Sequence, residues 1–231
     1  MYDTERGCFL SILHYPQTMS EPIDVIEQSV EMWTPPPLLE QQLELAAKAG
    51  RVCYQSEGKT PKEEFLRRII KMGHESVLEH ASVTFSIITN RAVTHQLVRH
   101  RIGVAYSQES QRYCNYQGKL QVIRPSEPMD KNAYLDWEYS MKTCAQTYNW
   151  LVCKDNEYRV KPEVARGVLP NDTKTQVVVT FNIRSLRHFL TLRLDTHAQH
   201  AIRDIASKIY KLIDLHGFGY LLEGINTKGL I

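Results

Sequence analysis

The residues best suited to chemistry in this chain lie in one short segment, Arg99-His100-Arg101 followed by Ser107-Gln108-Glu109-Ser110-Gln111-Arg112-Tyr113. A guanidinium presents five N–H donors in a planar fork that grips phosphate or carboxylate in bidentate fashion, and serine and glutamine add short neutral hydrogen bonds beside it. Three arginines this close make a poor packing element and a good cradle for a polyanion such as a nucleotide or a pyrophosphate. On composition alone the segment reads as a charged surface loop, because Arg and Gln are mostly exposed in soluble domains. Order and spacing shift the balance toward a ligand.

Four further segments carry residues of the same kind: His74-Glu75-Ser76-Val77-Leu78-Glu79-His80, Val164-Ala165-Arg166-Gly167-Val168-Leu169-Pro170, Asn182-Ile183-Arg184-Ser185-Leu186-Arg187-His188-Phe189, and Leu192-Arg193-Leu194-Asp195-Thr196-His197-Ala198-Gln199. Taken singly, each has an ordinary structural explanation. A His-Glu pair before a strand serves as a satisfied cap, and an arginine such as Arg193 on a helix is more often a solvated charge. His197 and His200 stand three apart on a helix, but two imidazoles without a third ligand are too few for a closed metal site, and no metal is expected.

Together and in this order, the segments resemble the signature of the flavin-dependent thymidylate synthases, from about Gly73 to His200. The family pattern places seven residues between Arg-His-Arg and a Ser, and ends in Ser-x-Arg-Tyr. Here eight residues, Ile102 to Glu109, separate Arg101 from Ser110, and Gly103 can absorb the additional one as a bulge or a loosened turn.

The resemblance implies a set of roles. Gln96, Arg99, Ser110, Gln111, Arg112, Arg166 and Arg193 would bind deoxyuridylate, with the Ser110–Arg112 part contributed by a neighbouring subunit of a homotetramer. His74, Ser76, Glu79, His100, Arg101, Asn182, Arg184, His188 and His197 would hold FAD; some relatives have asparagine where His188 stands. Arg193 would be the catalytic group, stabilising negative charge that develops on the uracil as carbon 5 attacks. The reaction so implied takes a methylene group from methylenetetrahydrofolate to dUMP, with NADPH reducing FAD and the reduced flavin supplying hydride to give dTMP.

The residues agree with the absence of a side-chain nucleophile. Ser110 has no adjacent general base to activate it. Cys114 is followed by Asn115, outside the Pro-Cys-His context of the cysteine-dependent thymidylate synthases. No Gly-rich dinucleotide fingerprint and no G-x-S-x-G elbow occurs. Two other readings stay open: a related enzyme methylating carbon 5 of UMP, and a non-catalytic nucleotide- or RNA-binding module in which Tyr106 and Tyr113 stack on bases.

The elements that must position these residues are partly legible. A strand is expected over residues 8–15. Helices are expected over 38–49, closed near Gly50, and from a Thr60-Pro61-Lys62-Glu63 capping box to Gly73-His74. Val83, Phe85 and Ile87 alternate with polar residues as a half-buried strand. Asn90 caps a short helix that delivers Gln96 and Arg99 to a loop. A long helix over 132–153 shows Leu135, Tyr139, Thr143 and Tyr148 in helical spacing, and Pro162 starts a short one. Residues 176–181 form the strongest strand, followed by helices over 185–194 and 196–216. This mixture implies an α+β fold, and the resemblance implies a central, mostly antiparallel sheet flanked by helices.

Length and composition set the outer bounds. A chain of 231 residues with 42% hydrophobic and 23% charged content suits one globular domain spanning 1–231. A formal charge of +2 is too small for general nucleic-acid binding, so positive potential must come from local clustering. No apolar run approaches a membrane span, and the start of the chain is acidic without a long apolar stretch. Five scattered cysteines lack the spacing of a zinc site or a redox dithiol and point to reduced thiols in the cytoplasm.

Overall fold

The computed structural model describes residues 22–56 and 60–231, without the side chain of Tyr54. The strand expected over 8–15 lies outside the described residues. Six strands are described: β1 (Ile23–Ile26), β2 (Ser29–Met32), β3 (Ser82–Asn90), β4 (Val104–Gln108), β5 (Leu120–Ile123) and β6 (Lys174–Asn182). The helices are α1 (Pro36–Tyr54), α2 (Lys62–Lys71), α3 (Arg91–Leu97), α4 (Lys131–Val152), α5 (Pro162–Ala165), α6 (Ile183–Arg193) and α7 (His200–Ile213). The fold is α+β, as expected, and its contacts divide the chain into two compact units.

The larger unit, Ile26–Glu109, Ile123–Pro128 and Lys174–Ile231, contains a four-stranded sheet in the order β2-β3-β6-β4. Every neighbouring pair is antiparallel. β6 occupies a central place because its sequence alternates: Thr175, Val177, Val179 and Phe181 are buried while the residues between them are half-buried. Its β-branched side chains suit a pleated surface, and Val179 pairs with Phe85 on one side and Tyr106 on the other. Phe181 packs on Phe189 of α6 with ring centroids 5.2 Å apart, and each fully buried side chain of this size contributes about 1.5–3 kcal/mol. The core continues through Leu39, Leu43, Phe65, Ile69, Leu97, Leu190, Ile205 and Ile209, drawn from all five helices of the unit.

Several boundaries differ from the sequence expectation, each for a stated reason. Helix α1 runs past Gly50 and closes at Gln55, whose left-handed φ of 45° lets its N–H reach the carbonyls of Arg51 and Val52. Gly50 is there for close approach, since a Cβ would meet Phe65 Cε1 at 2.9 Å and Val77 Cγ1 at 3.1 Å. Thr60 does not cap α2, which has no side-chain cap; its carbonyl instead accepts from Arg51 at 2.6 Å. That helix ends at Lys71 with Met72 as its C-cap, and Gly73 follows at φ +73°, close to the expected stop at Gly73–His74. Asn90 caps α3 as expected, its Oδ1 accepting from Val93 N at 2.9 Å. Residues 104–108, where no strand is expected, form β4, because pairing with β6 supplies hydrogen bonds that local sequence does not announce. Helix α7 starts at His200 and not at 196, because Asp195 holds the preceding residues in a turn by accepting from His197 N at 2.8 Å.

The smaller unit comprises Ser110–Val122, Met129–Thr173 and the described end of Met1–Val25. Strands β1 and β5 pair in a two-stranded ribbon. Asp130 caps α4 by accepting from Asn132 N at 2.8 Å. The buried face of α4 consists of Met141, Ala145, Tyr148, Asn149 and Val152, so Leu135, Tyr139 and Thr143 of the expected face are exposed. Two interleaved apolar spacings fit one helix, and packing against Ile23, Leu120 and Val122 selects this one. Among the described residues no helix is long and apolar enough to cross a membrane.

Candidate functional site

The end of α3, the turn after it and one face of α6 enclose a cavity of about 350 Å³ in the larger unit. It is lined by Arg99, His100, Arg101, Ile102, Val104, Ser185, His188, Leu192 and Arg193. The sequence builds it with few devices. Asn90 starts α3, which gives out at Val98 and releases Arg99–Arg101 as the chain reverses. Tyr106 on β4 holds that reversal from below, its hydroxyl lying 2.7 Å from the carbonyl of Leu97 and 2.8 Å from that of His100. Burial pushes the Tyr106 phenol up to about 12, which keeps it a donor.

The reversal turns on Gly103. At φ +68° it occupies a conformation that side chains rarely adopt, and a Cβ would lie 2.2 Å from Asn182 Nδ2. Its carbonyl accepts from Asn182 N at 2.9 Å, and the carbonyl of Ile102 accepts from Ser185 Oγ at 2.5 Å. The chain thus places a left-handed turn at Ile102–Gly103 before β4, within the stretch that is one residue longer than the family pattern.

His100 and Arg193, both in the lining, are in direct contact. Arg193 Nε donates to His100 Nε2 at 3.0 Å, although the two lie 93 positions apart. Accepting there requires an unprotonated ring nitrogen. The environment favours that state, because burial, the Arg193 charge and His188 together bring His100 down to about 4. His100 is further seated edge-on against Phe189, with centroids 5.1 Å apart, and against His188 at 6.1 Å. Burial and the neighbouring Arg99 charge lower the pKa of Arg193, a guanidinium that nevertheless stays charged at neutral pH. Only one of its five N–H groups is taken by His100, so the remainder are available to an anion.

The other flavin candidates of this unit stand outside the cavity lining. A 3-10 turn, Glu75–His80, begins after His74 and carries Ser76 and Glu79. Arg184 donates to Glu79 at 2.6 Å, both half-exposed. Asn182 serves as the N-cap of α6, its Oδ1 accepting from Ser185 N at 2.8 Å. Gln96 bonds Gln199 of the segment before α7. The His197 side chain is 95% exposed and meets Asp195 Oδ1 at 2.8 Å, and the hydrogen bonds from His197 hold the Asp195 carboxyl below its ordinary value.

The remaining nucleotide candidates, Ser110, Gln111, Arg112 and Arg166, belong to the smaller unit. Ser110 Oγ accepts from Arg112 N at 3.3 Å, and the Arg112 guanidinium lies 3.8 Å from Glu163 and 5.4 Å from the centroid of Tyr113. Arg166 is exposed on the 3-10 turn that follows α5.

Ile102, Val104, Ser185 and Leu192 also line the cavity, and the sequence motifs assign them no role. The signal for two of them was present, since Ser185, His188 and Leu192 recur at helical spacing ahead of Arg193. Among the described residues no three His, Cys, Asp or Glu side chains are grouped to hold a metal.

Comparison with known proteins identifies the family. Residues 38–215 match the profile of the family described as thymidylate synthase complementing protein. The flavin-dependent thymidylate synthase of Geobacter sulfurreducens is 41% identical over 179 residues, covering 72% of this chain and 75% of that protein. The enzyme of the same name from Mycobacterium tuberculosis is 40% identical over 175 residues, covering 68% and 70%. The crystal structure of thymidylate synthase X from Helicobacter pylori with FAD and dUMP superposes with a TM-score of 0.67 at 24% identity. It covers 87% of this chain and 99% of that one, a likeness that speaks for the fold. With the family profile spanning most of the sequence and relatives at about 40% identity, this chain belongs to the flavin-dependent thymidylate synthases.

Proposed function

We propose that this chain converts dUMP to dTMP by reductive methylation, with methylenetetrahydrofolate as carbon donor and FAD as its bound cofactor. The observation that carries the reading is the Arg193–His100 contact in a cavity lined by three guanidiniums. That donor set fits a phosphate-bearing, electron-rich ligand, because charge-assisted hydrogen bonds to anionic oxygens are roughly twice as strong as neutral ones. His100, Arg101 and His188, with His74, Ser76, Glu79, Asn182, Arg184 and His197, are the groups proposed to hold FAD. Held there and reduced by NADPH, FAD would supply the hydride.

The chain's own part is orientation and charge. His100, kept neutral by its surroundings, accepts from Arg193 Nε and so fixes the guanidinium plane. The free edge of Arg193 is then directed at the uracil, where it stabilises charge as carbon 5 attacks, with no reorganisation needed during reaction. Arg99 and Gln96, together with Ser110, Gln111, Arg112 and Arg166, are proposed to hold the nucleotide. Within this reading 1–231 acts as one catalytic domain, in a cytoplasmic homotetramer that shares its sites between subunits.

The test is direct. Purified protein should show flavin absorbance and form dTMP from dUMP with methylenetetrahydrofolate and NADPH. Arg193→Ala should keep the flavin absorbance and lose about 10²–10³-fold in kcat, the cost of removing one preorganised donor. Full turnover in that variant would remove Arg193 from the mechanism. A colourless protein with salt-dependent nucleic-acid affinity, or one active on UMP and silent on dUMP, would overturn the assignment.

A further inference from the structure

Arg187 is a charged residue that the family signature does not use. It is 8% exposed on α6, among Ile183, Leu186, Phe189 and Leu190, all fully buried. Its guanidinium makes three connections. Nε donates to Glu75 Oε1 at 2.9 Å, one terminal nitrogen donates to the carbonyl of Leu221, and the other to the carbonyl of Glu223 at 3.1 Å. Glu75 is 112 positions away and stands between His74 and Ser76.

A buried charge is costly to desolvate, and well-packed apolar residues in place of a buried ion pair are often neutral or stabilising. Core packing alone therefore gives no reason for Arg187. What the planar fork provides is direction: three acceptors at fixed angles, on two separate segments, are held to one helix. One is the 3-10 turn Glu75–His80. The other is the C-terminal stretch, itself fastened to α2 by the ion pair of Arg67 with Glu223 and by Arg67 over the Tyr220 ring, 5.5 Å from its centroid.

Helix α6 lines the cavity through Ser185, His188, Leu192 and Arg193, and the 3-10 turn carries Ser76 and Glu79. The only other ion pair between the two elements among the described residues is Arg184 with Glu79, and both partners are about half-exposed. Exposed pairs are weak and screened by salt, so that contact cannot fix the spacing by itself.

We propose that Arg187, acting through Glu75, is a positioning residue that locks the Glu75–His80 turn against α6 and so preorganises the flavin-binding wall. This rests on the flavin reading given above. Preorganisation raises affinity by removing the ordering cost from the binding step.

The test compares FAD affinity, by fluorescence titration of the apoprotein, with its thermal midpoint. Glu75→Gln retains an acceptor oxygen for Arg187 Nε and should keep FAD affinity within about threefold of wild type. Arg187→Lys keeps the charge but not the fork, and should weaken FAD binding about tenfold or more. The double variant Glu75→Leu/Arg187→Met replaces the pair with apolar side chains; it should stay folded with a midpoint lowered by the loss of the donor to the Leu221 and Glu223 carbonyls, lose FAD affinity to the same degree, and alter the visible circular dichroism of bound flavin. Wild-type FAD affinity in Arg187→Lys, or in the folded double variant, would overturn the positioning role. Failure of wild-type protein itself to bind FAD would instead overturn the flavin reading, and the two failures are separate observations.

Discussion

Replacing Gly103 with alanine tests whether the turn between α3 and β4 depends on a residue without a side chain. The added Cβ would lie 2.2 Å from Asn182 Nδ2, 2.5 Å from Ser185 Oγ and 2.8 Å from Asn182 Cγ. The φ of +68° costs an L-residue about 1–2 kcal/mol by itself. Moving Asn182 aside gives up the cap of α6, about 1 kcal/mol. Moving Ser185 gives up its hydrogen bond to the Ile102 carbonyl, about another 1 kcal/mol. The combined loss is roughly 3–4 kcal/mol, and at about 2–4 °C per kcal/mol for a chain of this size the midpoint should fall by about 6–16 °C. Turnover should fall as well, because Arg99, His100 and Arg101 hang from the same turn. Thermal unfolding followed by circular dichroism, with dTMP formation measured well below the midpoint, reads both effects. Asn182→Ala is the control for the midpoint alone, which should fall by no more than the roughly 1 kcal/mol of the cap. A Gly103→Ala variant within 2 °C of wild type, by the same cited conversion, and fully active would refute the account of this turn.

Two further outcomes follow from other features. His100 is neutral in the folded state down to about pH 4, whereas the unfolded imidazole takes its proton near 6.5. The unfolded state therefore binds the extra proton between these values, and stability falls as pH drops through that window. Wild type should lose more thermal midpoint than His100→Gln between pH 7 and pH 4 by this linkage, and parallel curves would remove His100 as the cause. Gly50→Ala should destabilise by about 1–2 kcal/mol in denaturant titration, since overpacking against the Phe65 ring and Val77 outweighs the roughly 1 kcal/mol gained in helix propensity. A gain in stability there would show that the ring yields.

The sequence carried the local features of this protein because they depend on residues a few positions apart. The Asn90 cap, the helix stop just before Gly73, the alternation of β6 and the ordered motifs from Gly73 to His200 are of this kind. Tertiary packing decided what depends on partners distant in the chain. It made Gly50 a contact and not a terminus, chose the Met141–Ala145–Tyr148 face of α4, and paired residues 104–108 with β6 as a strand. It also set Arg187 as a hub and Arg193 on His100. Periodicity reports backbone preference and amphipathic phase, whereas the partner of a guanidinium is fixed only when strands and helices from separate stretches close on one another.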